Sequence, residues 1–72
     1  MKTYTISAQE RKGSNVIPLK RVKTTEDNAM FSAWQFSKKA DLCDAVLTQG
    51  SKHVVTYRNG VITHLNGKGH EA

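Results

Sequence analysis

Four side chains in this 72-residue chain are of metal-binding type: Cys43, His53, His64 and His70. Structural zinc takes a tetrahedral set, commonly built from close pairs such as C-x2-C or H-x3-H. The separations here are 10, 11 and 6 residues, and none makes a close pair. No metal site is expected, and no cofactor. Cys43 with His53 or His64 and Asp44 also supplies the residue types of a thiol nucleophile, its base and an orienting carboxylate. The segment around Cys43 reads as a helix whose apolar stripe points into a core, and a thiol there is inert. No P-loop, G-x-G-x-x-G or G-x-S-x-G motif occurs, and "NGKG" at Asn66 to Gly69 lacks the following helix that phosphate binding requires. So short a chain leaves little room for a water-excluding pocket of about 300 Å³ or more. The expectation is a protein that is not an enzyme and has no small-molecule substrate.

What remains is charge. Eleven Lys and Arg stand against six Asp and Glu, a formal net charge of +5. That balance in so short a chain favours a polyanionic partner, nucleic acid first. The candidate phosphate contacts are Lys20, Arg21 and Lys23 in "PLKRVK", Lys38 and Lys39 in "SKK", and Lys52 and Arg58 in the last third. Arg58 stands beside Asn59-Gly60, where a two-stranded ribbon would lead into a major groove. Trp34 and Tyr57 are of a type that stacks on bases, although so few aromatics in a small domain are better read as core. There is no helix-turn-helix and no ribonucleoprotein strand motif.

These side chains must be positioned by local elements. "KTYTISA" alternates Tyr4, Ile6 and Ala8 against Thr3, Thr5 and Ser7, the period of a half-buried strand. "QERKGSN" is a turn, and "VIPLKRVK" resumes an extended run in which Pro18 predicts an edge or a bulge. Residues 29–36 are ambiguous. As a strand they set Met30, Trp34 and Phe36 against Phe31 and Ala33, and the aromatic content favours that reading. As a helix they place Ala29, Ala33, Phe36 and Ala40 on one stripe with Phe31 opposite. "SKKADLCDAVLTQG" predicts a helix capped by Ser37 and ended by Gly50, packed through Leu42, Cys43, Val46 and Leu47. Lys38 and Lys39 in its first turn oppose the helix dipole.

"VVTYRNGVITHL" is a hairpin about Asn59-Gly60 with apolar residues on both faces. A three-residue loop, pairing Tyr57 with Val61, sorts the faces better than a two-residue one. It leaves Val54, Ile62 and His64 on an outer face. The expected fold is therefore α+β, a small antiparallel sheet with one helix on one face. Its order is β-β-β-α-β-β, or β-β-α-β-β if 29–36 is helical. A single domain spans 1–66, and residues 67–72 form a flexible tail.

A second functional class fits the same chain. A small sheet with an open edge can bind a larger protein by strand pairing, or through the outer hairpin face at Val54, Ile62 and His64. Accessory or inhibitor proteins of viruses and mobile elements are commonly of this size. The single cysteine excludes an internal disulfide and favours a reducing compartment. No stretch approaches the roughly 20 apolar residues that cross a bilayer, and the N-terminus has no secretory core. A cytoplasmic protein with no membrane partner is expected.

Overall fold

The computed structural model describes residues 1–13, 15–40 and 42–69. Its elements are β1 (Lys2–Glu10), β2 (Val16–Thr24), α1 (Glu26–Lys39), β3 (Cys43–Gln49), β4 (Lys52–Arg58), β5 (Val61–Leu65) and β6 (Lys68–Gly69). The strands form one sheet in the order β2-β1-β3-β4-β5-β6, with every neighbouring pair antiparallel. Helix α1 lies on one face, chiefly over β3 and β4. The fold is α+β, as expected, but the helix occupies a different segment. No helix among the described residues is long and apolar enough to cross a membrane.

Residues 29–36 are helical, which removes the preferred third strand. Thr25 caps the N-terminus by accepting from the Asn28 amide (3.4 Å), Glu26 and Asp27 occupy the first turn, and Lys38 and Lys39 the last. All four charges suit the helix dipole. Ala29, Ala33 and Ser37, spaced at successive turns, are buried against the sheet, while Phe31 stays 56% exposed. Small side chains on that stripe bring the helix backbone close to the strands. The β preference of Phe and Trp reflects packing on a half-buried surface, and the helix flanks supply that equally well. Trp34 and Phe36 pack there, half-buried, at the edge of the core.

The helix expected over 38–49 is strand β3 instead. β3 lies between β1 and β4, so both its edges are paired, and its centre, Asp44 through Leu47, is buried throughout, with α1 over one face. A short apolar run of this kind has no periodicity that separates helix from strand. Ser37, expected as an N-cap, sits inside α1. Its hydroxyl donates to the Trp34 carbonyl (2.7 Å) and accepts from the Gly60 amide (2.9 Å). Gly50 does take a positive φ of 60°, but in the two-residue β3–β4 turn rather than at a helix end. Cys43 opens β3 opposite Glu10 and is half-buried, not on a helix stripe.

The hairpin loop has two residues, not three. Asn59 (φ 51°) and Gly60 (φ 82°) are both left-handed, the I′ arrangement, and Arg58 pairs with Val61 and Tyr57 with Ile62. Two bulges then account for the apolar residues on both faces. Val54 is the unpaired residue between the Leu47–Val55 and Thr48–His53 pairs, so it and Val55 both enter the core. Thr63 is the extra residue in β5, which puts Leu65 level with Val55 and His64 level with Thr56. Val54 is therefore 5% exposed and Ile62 packs against the core, so neither forms the outer face expected of them.

β1 and β2 pair as the alternation predicts, with Tyr4, Ile6 and Ala8 buried. β2 is an edge strand and is bulged at Leu19, between the Ile6–Lys20 and Ser7–Pro18 pairs. Beyond β5 the chain turns again at Asn66 (φ 52°) and Gly67 (φ 81°), and Lys68–Gly69 pairs back on β5. His70 lies outside the described residues.

Candidate nucleic-acid interface

The alternation of β1 assigns the two sheet faces. Tyr4, Ile6 and Ala8 face α1, so Thr3, Thr5, Ser7 and Gln9 face away from it. Their pairing partners share that open face: Lys23 and Arg21 on β2, and Thr48, Val46 and Asp44 on β3. On β4 the open face carries His53, Thr56 and Arg58, and on β5 it carries His64.

Asp44 organises one end of this face. It is 6% exposed, and its carboxylate takes two bonds from Arg58, Nε to Oδ1 and Nη2 to Oδ2, both 2.9 Å. Arg11, in the turn after β1, donates its Nε to Oδ1 at 3.0 Å. Burial pushes the Asp44 carboxyl up, but the hydrogen bonds and charges of Arg58 and Arg11 outweigh it, and its pKa falls below the ordinary value. Arg58 is thus no free probe at the loop tip, since its guanidinium is turned back over β3. The Arg11, Arg21, Lys23 and Arg58 side chains share the face with Asp44 as its single carboxylate among the described residues.

Asp44→Asn tests this arrangement in two directions. Losing the charge-assisted bonds is expected to cost about 1 kcal/mol, because Arg58 and Arg11 remain partly hydrated. In a domain of this size that is roughly 4–8 °C in thermal midpoint. The same change removes the one negative charge from the face, so affinity for duplex DNA is expected to rise. Thermal unfolding and a binding titration on the same sample check both signs.

The histidines form a second polar cluster. The Gly67 amide donates to His53 Nδ1 (2.8 Å), so that nitrogen carries no proton and Nε2–H donates to Thr56 Oγ1 (2.7 Å). Burial pushes the His53 pKa below 6.5, and the neighbouring His64 lowers it further. Protonation would set a second N–H against that of Gly67. The folded state favours neutral His53, so this contribution is whole above the unfolded value near 6.5 and is lost as pH falls through the depressed folded value. The expected result is an imidazole NMR titration with its midpoint below pH 6.5 and a loss of Gly67 amide protection over the same range. A midpoint at or above the ordinary value would contradict it.

The other candidates are scattered. Lys20 and Lys39 line a groove on the helix side, with Leu19 and Phe36. Lys38 lies over the Trp34 ring, 4.7 Å from its centroid, and packs beside Gly60. Lys52 is at the far end of β4 from Arg58, paired with Gln49. Trp34 donates its indole N–H to the Gly60 carbonyl (3.0 Å) and Tyr57 is buried, so neither aromatic faces the open side. Of the residues named from the sequence, Arg21, Lys23, Arg58 and His64 share one surface. Arg11 joins them and was missed, because its link to Asp44 spans 33 positions. Among the described residues no three of His, Cys, Asp and Glu gather as metal ligands. Comparison with protein families, curated proteins and solved structures finds no match to this chain.

Proposed function

We propose that this is a non-enzymatic cytoplasmic protein that binds duplex nucleic acid with the sheet face opposite α1. One observation carries the reading: four cationic side chains share that face with one carboxylate, and that carboxylate holds two of them in place. The cations form two groups. Arg21 and Lys23 pair with Thr5 and Thr3 on one flank, and Arg11 and Arg58 meet at Asp44. The two strand spacings from β2 to Asp44 on β3 separate the groups by about 10 Å, and four residues of offset along the strands add about 13 Å in the other direction. Neighbouring phosphates on one strand lie much closer than that, so the two groups suit the two backbones of a duplex.

Among the described residues no Phe, Tyr or Trp lies on this face, and the two imidazoles, His53 and His64, are bonded to neighbouring side chains, so the face has no stacking platform for a single strand. No side chain here is arranged to read base edges in a fixed order, so binding is expected to vary little with sequence. The test is Arg21→Ala/Lys23→Ala against wild type on a short duplex. Both residues are exposed, so the fold should survive. The salt slope of log affinity is expected to shrink by about 2, and affinity at low salt to drop about tenfold or more. An unchanged slope would reject the reading.

A further inference from the structure

The sheet ends differently on its two sides. β6 is two residues long, whereas β2 is a nine-residue strand with one side unpaired. Natural sheets blunt such an edge with proline, bulges and charge. β2 uses all three, but in different places. Pro18 and the bulge at Leu19 interrupt its first half. Lys20, Arg21 and Lys23 fall in the second half, where the pairing with β1 continues without a break to Thr24.

The helix also leaves this edge uncovered. α1 packs on β3 and β4, and beside β2 there is a groove of about 430 Å³. Its apolar lining comes from Ile6, Leu19 and Phe36, and Lys20 and Lys39 contribute its two charges. Leu19 remains 51% exposed at its mouth. An unpaired strand beside an apolar groove is the arrangement in which an extended segment adds to a sheet and drops alternate side chains into the gap.

The charges decide which segment. A second copy pairing antiparallel about the middle of β2 would set Lys20 against its own counterpart, and Arg21 and Lys23 into the same cationic strip. Like charges directly opposite one another are destabilising. An acidic segment meets the reverse condition.

We infer that the β2 edge and the adjoining groove bind an extended acidic segment of another protein. The segment adds as a strand beside Leu19–Thr24. It places an aliphatic side chain over Leu19 and Phe36, with carboxylates two residues to either side, on the same side, meeting Lys20 and Lys39. The groove and Leu19 lie on the helix side of the sheet, whereas Arg21 and Lys23 of the same strand face the other way, so the two surfaces meet along β2 but the inference does not rest on the duplex reading.

The probe is a capped heptapeptide with threonine at alternate positions and glutamate, valine and glutamate between them, titrated by backbone-amide NMR. Shifts are expected along Leu19–Thr24 and at Gln35, Phe36 and Lys39 of α1. Leu19→Asp and Lys20→Glu are each expected to weaken the complex about tenfold or more. Both positions are exposed, so neither change threatens the fold. The same peptide N-methylated at alternate residues keeps its charge but loses the amides of one edge, and should bind about tenfold more weakly or worse. Leu19→Ser, which adds no charge, should weaken the peptide complex and leave duplex affinity unchanged, which separates this site from the open face. Equal binding of the N-methylated peptide would show attraction by charge alone and overturn the inference. So would shifts centred on Thr5 and Thr48, or no binding at about 1 mM peptide.

Discussion

Leu47→Ala is expected to destabilise the protein by about 2–5 kcal/mol, while Leu42→Ala should change it by less than about 0.5 kcal/mol. Leu47 has no exposed surface, stands on the central strand β3, and pairs with Ile6 on one side and Val55 on the other. Both neighbours are themselves buried strand residues, so the backbone cannot collapse into the space a truncated side chain leaves. A domain of this length has a total stability of roughly 4–11 kcal/mol, so the loss is a large share of it. Leu42 is 78% exposed just before β3 begins. The contrast separates two architectures. A helix over 38–49 packed through Leu42, Cys43, Val46 and Leu47 would make both leucines expensive to truncate. Denaturant unfolding of the two variants with unchanged m-values would report the difference directly. Equal losses would return this segment to a helix and dismantle the β1-β3-β4 centre of the sheet.

Affinity for duplex DNA is expected to fall on the order of 10²-fold between about 50 and 200 mM salt. The open face offers Arg11, Arg21, Lys23 and Arg58, and each phosphate neutralised contributes a slope of about −0.9 in log–log terms. Roughly four contacts therefore give a slope near −3.6. Arg11 and Arg58 count even though they are bonded to Asp44. One carboxylate cannot neutralise two guanidinium groups, and Arg58 keeps half of its side chain in solvent, at 51%. A single strand of the same length should bind more weakly, since among the described residues the face has no Phe, Tyr or Trp on which bases can stack. Fluorescence anisotropy across a salt series measures the slope without needing a specific sequence. A slope near zero would leave the protein without a phosphate-binding surface. Binding that tracked Leu19 instead would move its function to the β2 edge.

Much of the local structure was legible in the residues themselves. The strict alternation of "KTYTISA" names the inward residues of β1, because a strand half-buried on one face admits only that period. Pro18 places β2 at an edge with an irregularity, and Asn59-Gly60 marks a hairpin turn, although the apolar pattern favours a three-residue loop where the structure has two. The second turn, at Asn66-Gly67, carries the same dipeptide signal. It reads as a tail because the strand that follows has only two residues and no apolar pattern. Lys38 and Lys39 held a further clue. Their conflict with the dipole of a helix starting at Ser37 vanishes once they end one that starts after Thr25.

What the residues alone determined, then, is composition-level and local: a basic α+β chain, its first two strands and the place of the Asn59-Gly60 hairpin turn. Tertiary structure decided the rest, for three physical reasons. The centre of residues 43–49 is buried on both faces, Ala45 and Leu47 under α1 and Asp44 and Val46 among the side chains of the neighbouring strands, so no simple burial period distinguishes it from a buried helix. The helix of residues 26–39 is held to the sheet by small side chains, Ala29, Ala33 and Ser37, whose burial only the opposing strands create. The open face joins Arg11 to Asp44 and Arg58, residues distant along the chain that the order β1-β3-β4 sets side by side, and one bulge carries His64 onto that face while another draws Val54 inward. Such a surface is a product of register, and register is fixed by pairing between strands rather than by any one strand's own residues.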